Sequence, residues 1–217
     1  MMDPADRIID LYQRRARAWD EARGQGLFER ALLERTLLER AWLDRFTALL
    51  PPGGTVLDVG CGSGEPIARH LIASRFAVTG VDAAAAMIEL CRSRLPSATW
   101  LVGDMRELAL GRRFDGLIAW DSFFHLRPQE QRAMFPVMAA HTGANAVMMF
   151  TSGPSLGEAI GTFEGEPLYH ASLDAAEYRA LLDAQGFQVV AHIADDPTCG
   201  GHTVWLAQRR HTGLGAR

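Results

Sequence analysis

Residues Val56 to Gly64 read V-L-D-V-G-C-G-S-G, an apolar run closed by three glycines at alternate positions, after which Glu65 and Pro66 lead into a helical pattern. Few segments constrain a fold as tightly. Glycine lacks a Cβ, so Gly60, Gly62 and Gly64 permit a sharp bend and let a ligand approach the backbone itself. Pro66 suits the first helical turn, where its missing N–H is not needed. The pattern predicts a strand, a ligand-binding turn and a helix.

The charge around the turn narrows the ligand. A dinucleotide-binding loop places its third glycine three positions after the second and rests a pyrophosphate on the N–H groups that open the helix. Here that position is Glu65. A carboxylate there, with Asp58 ending the strand, repels a pyrophosphate and suits a ligand that carries positive charge and no phosphate. S-adenosylmethionine has those properties. Its ribose calls for an acid about 20 residues after the glycines, and Asp82 stands there, closing the apolar run Phe76 to Val81.

With these residues in place the chain resembles the class I S-adenosylmethionine-dependent methyltransferases of small-molecule type. Four stretches fit in order: Asp58 to Gly64, Gly80-Val81-Asp82, Gly103-Asp104-Met105, and Phe114 to Asp121, reading F-D-G-L-I-A-W-D. The register holds over roughly residues 55 to 150 and returns as a Gly-Phe strand and a terminal strand. The resemblance implies a Rossmann-like, doubly wound α/β fold with a seven-stranded, mostly parallel sheet whose last strand is antiparallel. It also implies cofactor contacts from Asp58, Gly60, Cys61, Gly62, Asp82, Ala83, Met87, Asp104, Met105 and Trp120. An amino-terminal helix folded over the cofactor would add Tyr12 and Trp19, which are seven apart and share a helix face.

Composition excludes other chemistries. All 22 basic residues are arginine, which removes Schiff-base catalysis, a pyridoxal phosphate linkage and a phosphate-loop lysine. A net charge of −4 gives no overall attraction to nucleic acid or an anionic membrane. The three cysteines, Cys61, Cys91 and Cys199, lack C-x-x-C spacing, as expected of reduced thiols in the cytoplasm. No apolar stretch reaches a membrane span of about 18 residues, and the amino terminus lacks the apolar core of a signal peptide. His170, Cys199 and His202 do not match a usual zinc pattern, so no metal is expected.

The length of 217 residues suits one domain. Residues 1 to 50 read as a helical cap, with helices at Asp3 to Ala22 and Phe28 to Leu50 separated by a break at residues 23 to 26. The acid–arginine pairs of the second helix recur every five residues and spiral round it as a solvated face. Residues 55 to 150 form the cofactor-binding core, in which apolar runs alternate with helical ones as in a parallel sheet. Pro128 opens a helix that Pro136 kinks or shortens. Residues 151 to 173, rich in Gly and Pro and without periodicity, read as a substrate lid. Residues 174 to 210 supply a helix, with a capping box at Asp174 and Glu177 and Gly186 at its end, and two strands.

Chemistry belongs after the fourth strand, at Trp120 to His125. Methyl transfer from a sulfonium is an in-line displacement whose main demand is placement of donor and nucleophile at about 3 Å. A base is optional, and Asp121 or His125 is the candidate to take a proton, histidine because its ordinary pKa lies near neutrality. Phe123 and Phe124 are candidate walls of an apolar acceptor pocket, with Tyr169 and His170 contributed by the lid. Methyltransferases of DNA bases resemble one another in an Asn/Asp-Pro-Pro-aromatic sequence at this point. Here it reads Asp121-Ser122-Phe123-Phe124, so the expected partner is a small molecule acceptor, with neither nucleic acid nor membrane. The competing readings are a nicotinamide-dependent oxidoreductase, opposed by Glu65, and a non-catalytic S-adenosylmethionine-binding module. Oligomeric state is not encoded in any of these features.

Overall fold

The strand before the glycine turn, β1 (Thr55–Val59), lies in the middle of the sheet and is buried along nearly all its length. A strand covered on both faces has to be apolar throughout, which is why Val56, Leu57 and Val59 carry no alternation. The computed structural model describes residues 3–34 and 38–210, with side chains described for 3–22 and 38–210.

Four further strands run parallel to β1: β2 (Ala77–Asp82), β3 (Thr99–Val102), β4 (Phe114–Ala119) and β5 (Thr142–Ser152). Two more complete the sheet, β8 (Phe187–Asp196) and β9 (His202–Arg209), in the order β3-β2-β1-β4-β5-β9-β8. β9 runs antiparallel between β5 and β8, pairing Ser152 with Thr203 and Val147 with Gln208. The expected seven-stranded, mostly parallel sheet with one reversed strand is therefore the observed one.

Helices cover both faces. On one, α2 (Arg40–Ala48), α3 (Ile67–Ala73) and α4 (Ala85–Arg94) pack Trp42, Phe46, Leu71 and Ile88 on Val56, Ile118, Val147 and Met149. On the other, α5 (Pro128–Ala140) and α6 (Ala175–Ala184) pack Phe135, Met138, Tyr178 and Leu182 on Leu57, Leu117, Met148, Phe150 and Trp205. Val147 and Met149 face one layer and Met148 and Phe150 the other, as the period of a strand requires. Each fully buried side chain of this size contributes about 1.5–3 kcal/mol. The Trp42 indole N–H donates to Asp196 Oδ2 at 2.8 Å, tying α2 to the end of β8.

The amino-terminal cap differs from its expectation. A 3-10 turn (Pro4–Arg7) leads into one long helix, α1 (Ile8–Glu34), which runs through residues 23 to 26. Gly24 and Gly26 lower helix propensity by about 1 kcal/mol each, and that is not enough to end it. Among the described residues its non-helical backbone position is Arg15, where two helical segments meet at a kink. The second helix is confined to α2, so Glu39-Arg40 lies at its start, and the pairs Glu29-Arg30 and Glu34-Arg35 fall outside the residues whose side chains are described.

Residues 151 to 173 are also reassigned. They hold the end of β5 and then a two-stranded hairpin, β6 (Gly157–Phe163) and β7 (Glu166–Ser172). Glu164 and Gly165 both take positive φ, 51° and 78°, the conformation of a two-residue hairpin loop. Three smaller corrections concern helix ends and prolines. Asp174 caps α6 by accepting from Ala176 N, but Glu177 pairs with Arg132 and closes no capping box. Helix α5 continues through Pro136 to Ala140. Pro66 precedes α3 as its N-cap rather than lying in its first turn.

Candidate functional site

Strand order reverses between β1 and β4, and in an open parallel sheet the crevice beyond the carboxyl ends of such a pair is where ligands sit. A cleft of about 1060 Å³, counting its open mouth, lies there. Every residue expected at the cofactor lines it: Tyr12, Trp19, Asp58, Gly60, Cys61, Gly62, Asp82, Ala83, Met87, Asp104, Met105 and Trp120.

The glycine turn has two distinct requirements. A Cβ on Gly60 would stand 2.3 Å from Ser122 Cβ, so that glycine lets β1 and the turn after β4 approach each other. Ser122 fastens the same contact by donating to the Val59 carbonyl at 2.7 Å. Gly62, at φ +54°, has nothing within 4 Å of where a Cβ would be and offers bare backbone to the cleft.

Asp82 organises the turn. Its Oδ2 accepts from Gly62 N and its Oδ1 from Ala84 N, both at 2.9 Å. Burial pushes its carboxyl pKa up, against those two donors. Two bonds leave further acceptor positions on the carboxylate, so holding the turn and meeting a ligand are compatible. Asp104 is different: it caps the 3-10 turn Met105–Glu107 and is held on both oxygens by the Arg106 guanidinium, which also reaches Glu130 at 2.9 Å. The hydrogen bonds to Arg106 hold its carboxyl below the usual range despite its burial. Glu65 is paired with Arg69 at 2.6 Å, so its charge toward the cleft is shared. The Trp120 indole nitrogen is buried with no hydrogen-bond partner among the described residues, and Trp120 lines the cleft.

Helix α1 roofs the cleft. Ile8, Ile9, Tyr12 and Trp19 line it from above, and Ala16 packs with Ala84 and Met87 on α4. Asp20 binds Arg94 at 2.5 Å and Gln13 accepts from Ala86 N, which pins the helix to α4. At the hairpin side Arg14 grips Glu166 with two bonds of 2.7 and 2.8 Å, joined by Arg15 at 3.2 Å, and these guanidinium bonds lower the Glu166 pKa to about 2. The Trp19 ring meets Phe163 of the hairpin edge-on at 5.0 Å.

A second cavity adjoins the cleft, sharing Trp19, Asp121 and His125 and adding Phe124, His170 and His202. Its lining combines aromatic and imidazole rings with the polar residues Asp121, Ser152 and Thr203. His125, on the 3-10 turn Phe123–His125, lies 2.7 Å through Nδ1 from the Tyr169 carbonyl and 2.8 Å through Nε2 from the Tyr12 hydroxyl. A carbonyl only accepts, so Nδ1 carries the hydrogen and Nε2 presents its lone pair. Burial lowers the His125 pKa to about 4, which corrects the premise of a ring titrating near neutrality.

Two expected acceptor contacts are also corrected. Phe123 is fully buried among Phe135, Phe150 and Tyr178 and belongs to the core. Tyr169 is buried too, its phenol spent on Glu158 at 2.8 Å, and it serves His125 through its carbonyl. Phe124 and His170 do line the second cavity, with rings 5.1 Å apart.

His202, set aside in the sequence as a metal ligand, faces Asp121 instead. Its Nε2 is 3.0 Å from Asp121 Oδ1, and its Nδ1 is 2.5 Å from the Cys199 carbonyl. The bond to Asp121 raises its pKa to about 11. The two residues are 81 positions apart, and only the pairing of β9 with β5 brings them together, so no sequence signal announces the contact.

Comparison with known proteins agrees with this geometry. Residues 56–144 match the family model described as a methyltransferase domain. Over 101 residues the chain is 38% identical to dTDP-3-amino-3,6-dideoxy-alpha-D-glucopyranose N,N-dimethyltransferase of Streptomyces fradiae, a match covering 46% of this chain and 39% of that protein. The chain thus spans less than half the length of the curated relatives it matches. Among solved structures, a SAM-bound amino pentose methyltransferase, CalS10 from Micromonospora echinaspora, superposes with a TM-score of 0.64 at 24% identity, covering 85% of this chain and 97% of that one. The magnesium protoporphyrin IX methyltransferase of Synechocystis PCC 6803 with bound SAH superposes at 0.71 and 18% identity, covering 96% and 100%. Residues 56–144, which supply most of the cleft lining, match the methyltransferase-domain family, and the described chain carries the class I methyltransferase fold around them.

Proposed function

We propose that this chain is an S-adenosylmethionine-dependent methyltransferase that acts on a small-molecule acceptor and leaves S-adenosylhomocysteine. The observation that carries the reading is the junction of two cavities at the switch point of the sheet. One is lined by the glycine turn, Asp82 and Met105, the other by Phe124, His125 and His170. The residues present suit the cofactor. Asp82 has acceptor capacity for ribose hydroxyls, Gly62 offers open backbone, and the Trp120 N–H is a buried donor unmatched among the described residues, a state that costs about 1–3 kcal/mol unless a partner meets it. When bound, S-adenosylmethionine supplies a methyl carbon made electrophilic by its sulfonium. The protein's own task is then placement.

His125 performs that task through Tyr12. An imidazole held near 4 is a poor proton reservoir at neutral pH, whereas its Nε2 lone pair accepts the Tyr12 O–H and so fixes the phenol oxygen, whose own lone pairs can hold an N–H or O–H of the acceptor in one orientation. The Streptomyces fradiae relative is an N,N-dimethyltransferase of a dTDP-linked amino sugar, and an amine on a sugar ring suits this second cavity, where ring faces cover C–H surfaces and Asp121 and His125 meet polar edges. We therefore assign the acceptor to the amino sugars, with the chain acting in the cytoplasm as one domain: cap 1–50, cofactor-binding core 55–150, the segment 151–173 over the acceptor, and 174–210 completing the sheet.

Titration calorimetry tests the reading. S-adenosylmethionine and S-adenosylhomocysteine are expected to bind, Asp82→Ala to weaken both, and mass spectrometry to find methyl groups on nucleotide-linked amino sugars and none on their hydroxyl-only counterparts. Heat from NADH with none from either sulfur ligand would overturn it.

A further inference from the structure

The arrangement at the junction leaves one pair unexplained by placement of the cofactor. His202 opens β9 directly after Gly200 and Gly201, both at positive φ. Its Nδ1 faces a carbonyl at 2.5 Å, which can only accept, so that nitrogen bears a hydrogen. Its Nε2 faces both carboxylate oxygens of Asp121, at 3.0 and 3.2 Å. A second hydrogen on Nε2 satisfies both neighbours, and the pair is an imidazolium against a carboxylate. His125 has the same Nδ1-to-carbonyl anchor, but its other nitrogen meets a hydroxyl and stays bare. Two histidines with one type of anchor thus face the same cavity in opposite protonation states.

Asp121 is the residue so held. It lines both cavities, its backbone takes φ +48°, and its N–H donates to Thr151 Oγ1 at 2.8 Å. A left-handed backbone at a residue other than glycine is uncommon and marks a position defined by its surroundings. Here they aim a carboxylate at the junction. Both hydrogens of His202 are already engaged, so His202 does not itself reach a ligand.

Resting on the methyltransferase reading, we propose that His202 is a positioning residue of the transfer: it clamps Asp121 in its ionised form at the junction of the two cavities, where the carboxylate accepts a hydrogen from the acceptor's amine. The titratable groups that face the pair among the described residues are His125 from the turn after β4, His170 from β7 and Cys199 from the turn before β9. Burial disfavours the charged form of both of those histidines, whereas His202 meets the Asp121 carboxylate directly at 3.0 Å.

Steady-state kinetics of the full chain with a nucleotide-linked amino sugar decides the matter, using His202→Ala and His202→Gln with calorimetry for S-adenosylhomocysteine. In His202→Ala the acceptor KM is expected to rise about tenfold, the size of effect that follows loss of a hydrogen bond to a charged group, with cofactor affinity changed less than about twofold. His202→Gln retains an N–H toward Asp121 but no charge. It is expected to restore KM near neutral pH, whereas in both variants the acid limb of kcat/KM moves to higher pH as Asp121 becomes easier to protonate. Wild-type turnover with an acceptor KM and an acid limb unaltered in both variants overturns the inference and leaves the enzyme reading standing. No wild-type turnover on any amine acceptor overturns that reading and the inference with it.

Discussion

At the scale of single residues, His125 and His202 act on stability with opposite signs. The folded pKa of His125, about 4, lies below its ordinary 6.5, so the folded protein binds fewer protons in that window. Its contribution carries no penalty above pH 6.5, and a cost grows as pH falls toward 4, reaching about 3 kcal/mol at 1.36 kcal/mol per unit. The folded pKa of His202 is raised from 6.5 to about 11, so its contribution is complete below 6.5 and is lost as pH rises through that range. Thermal unfolding measured across pH is therefore expected to show a shallower acid limb in His125→Asn and a shallower alkaline limb in His202→Asn than in wild type. An unchanged acid slope in His125→Asn would contradict the buried neutral imidazole. The sequence brings Asp82 near Gly62 because the two follow adjacent parallel strands, so that a spacing of 20 residues returns the chain to the same edge of the sheet. It could not place Phe123, since an aromatic residue beside a site reads identically whether its ring faces a ligand or, as here, Phe135 and Phe150. Nor could it join His202 to Asp121, because that contact depends on the register of β9 against β5.

At the scale of elements, the hairpin and α1 behave as one clasp. Glu166 begins β7 and collects Arg14 and Arg15 of α1, and the Arg7 guanidinium stands 3.5 Å away. Because these groups are partly exposed, their attraction is screened by salt. Glu166→Gln is expected to speed amide hydrogen exchange in residues 157–172 and in the first two turns of α1 by about two- to fivefold at low salt, with the sheet unaffected, and the difference should fade as salt is added. Equal exchange in the two proteins would mean that the Trp19–Phe163 contact alone holds the clasp. These elements were the least legible. β6 is exposed along most of its length and shows no alternation to read, and α1 crosses two glycines whose cost to a helix is about 1 kcal/mol each. By contrast β1, β2, β4 and β5 are read directly, since strands buried on both faces must be apolar runs.

At the scale of the whole molecule, the ligand cleft draws on the cap, β1, β2, the turn after β3 and the turn after β4 together. A ligand touching all of them favours the fully folded state, so at about 100 times its Kd S-adenosylhomocysteine is expected to raise the unfolding temperature by about 5–10 °C. Scanning fluorimetry checks this, and NADH at the same concentration should leave the transition in place. Among the described residues no helix is long and apolar enough to cross a membrane. The pinned roof also bears on time. A ligand in the cleft lies beneath a helix fastened to α4 by Asp20–Arg94 and to the hairpin by Arg14–Glu166. A ligand too large for the cleft's mouth has to wait for one of those fastenings to open. A barrier common to both directions slows arrival and departure by the same factor and leaves their ratio alone, so the fastenings lengthen a bound molecule's stay without tightening its equilibrium grip.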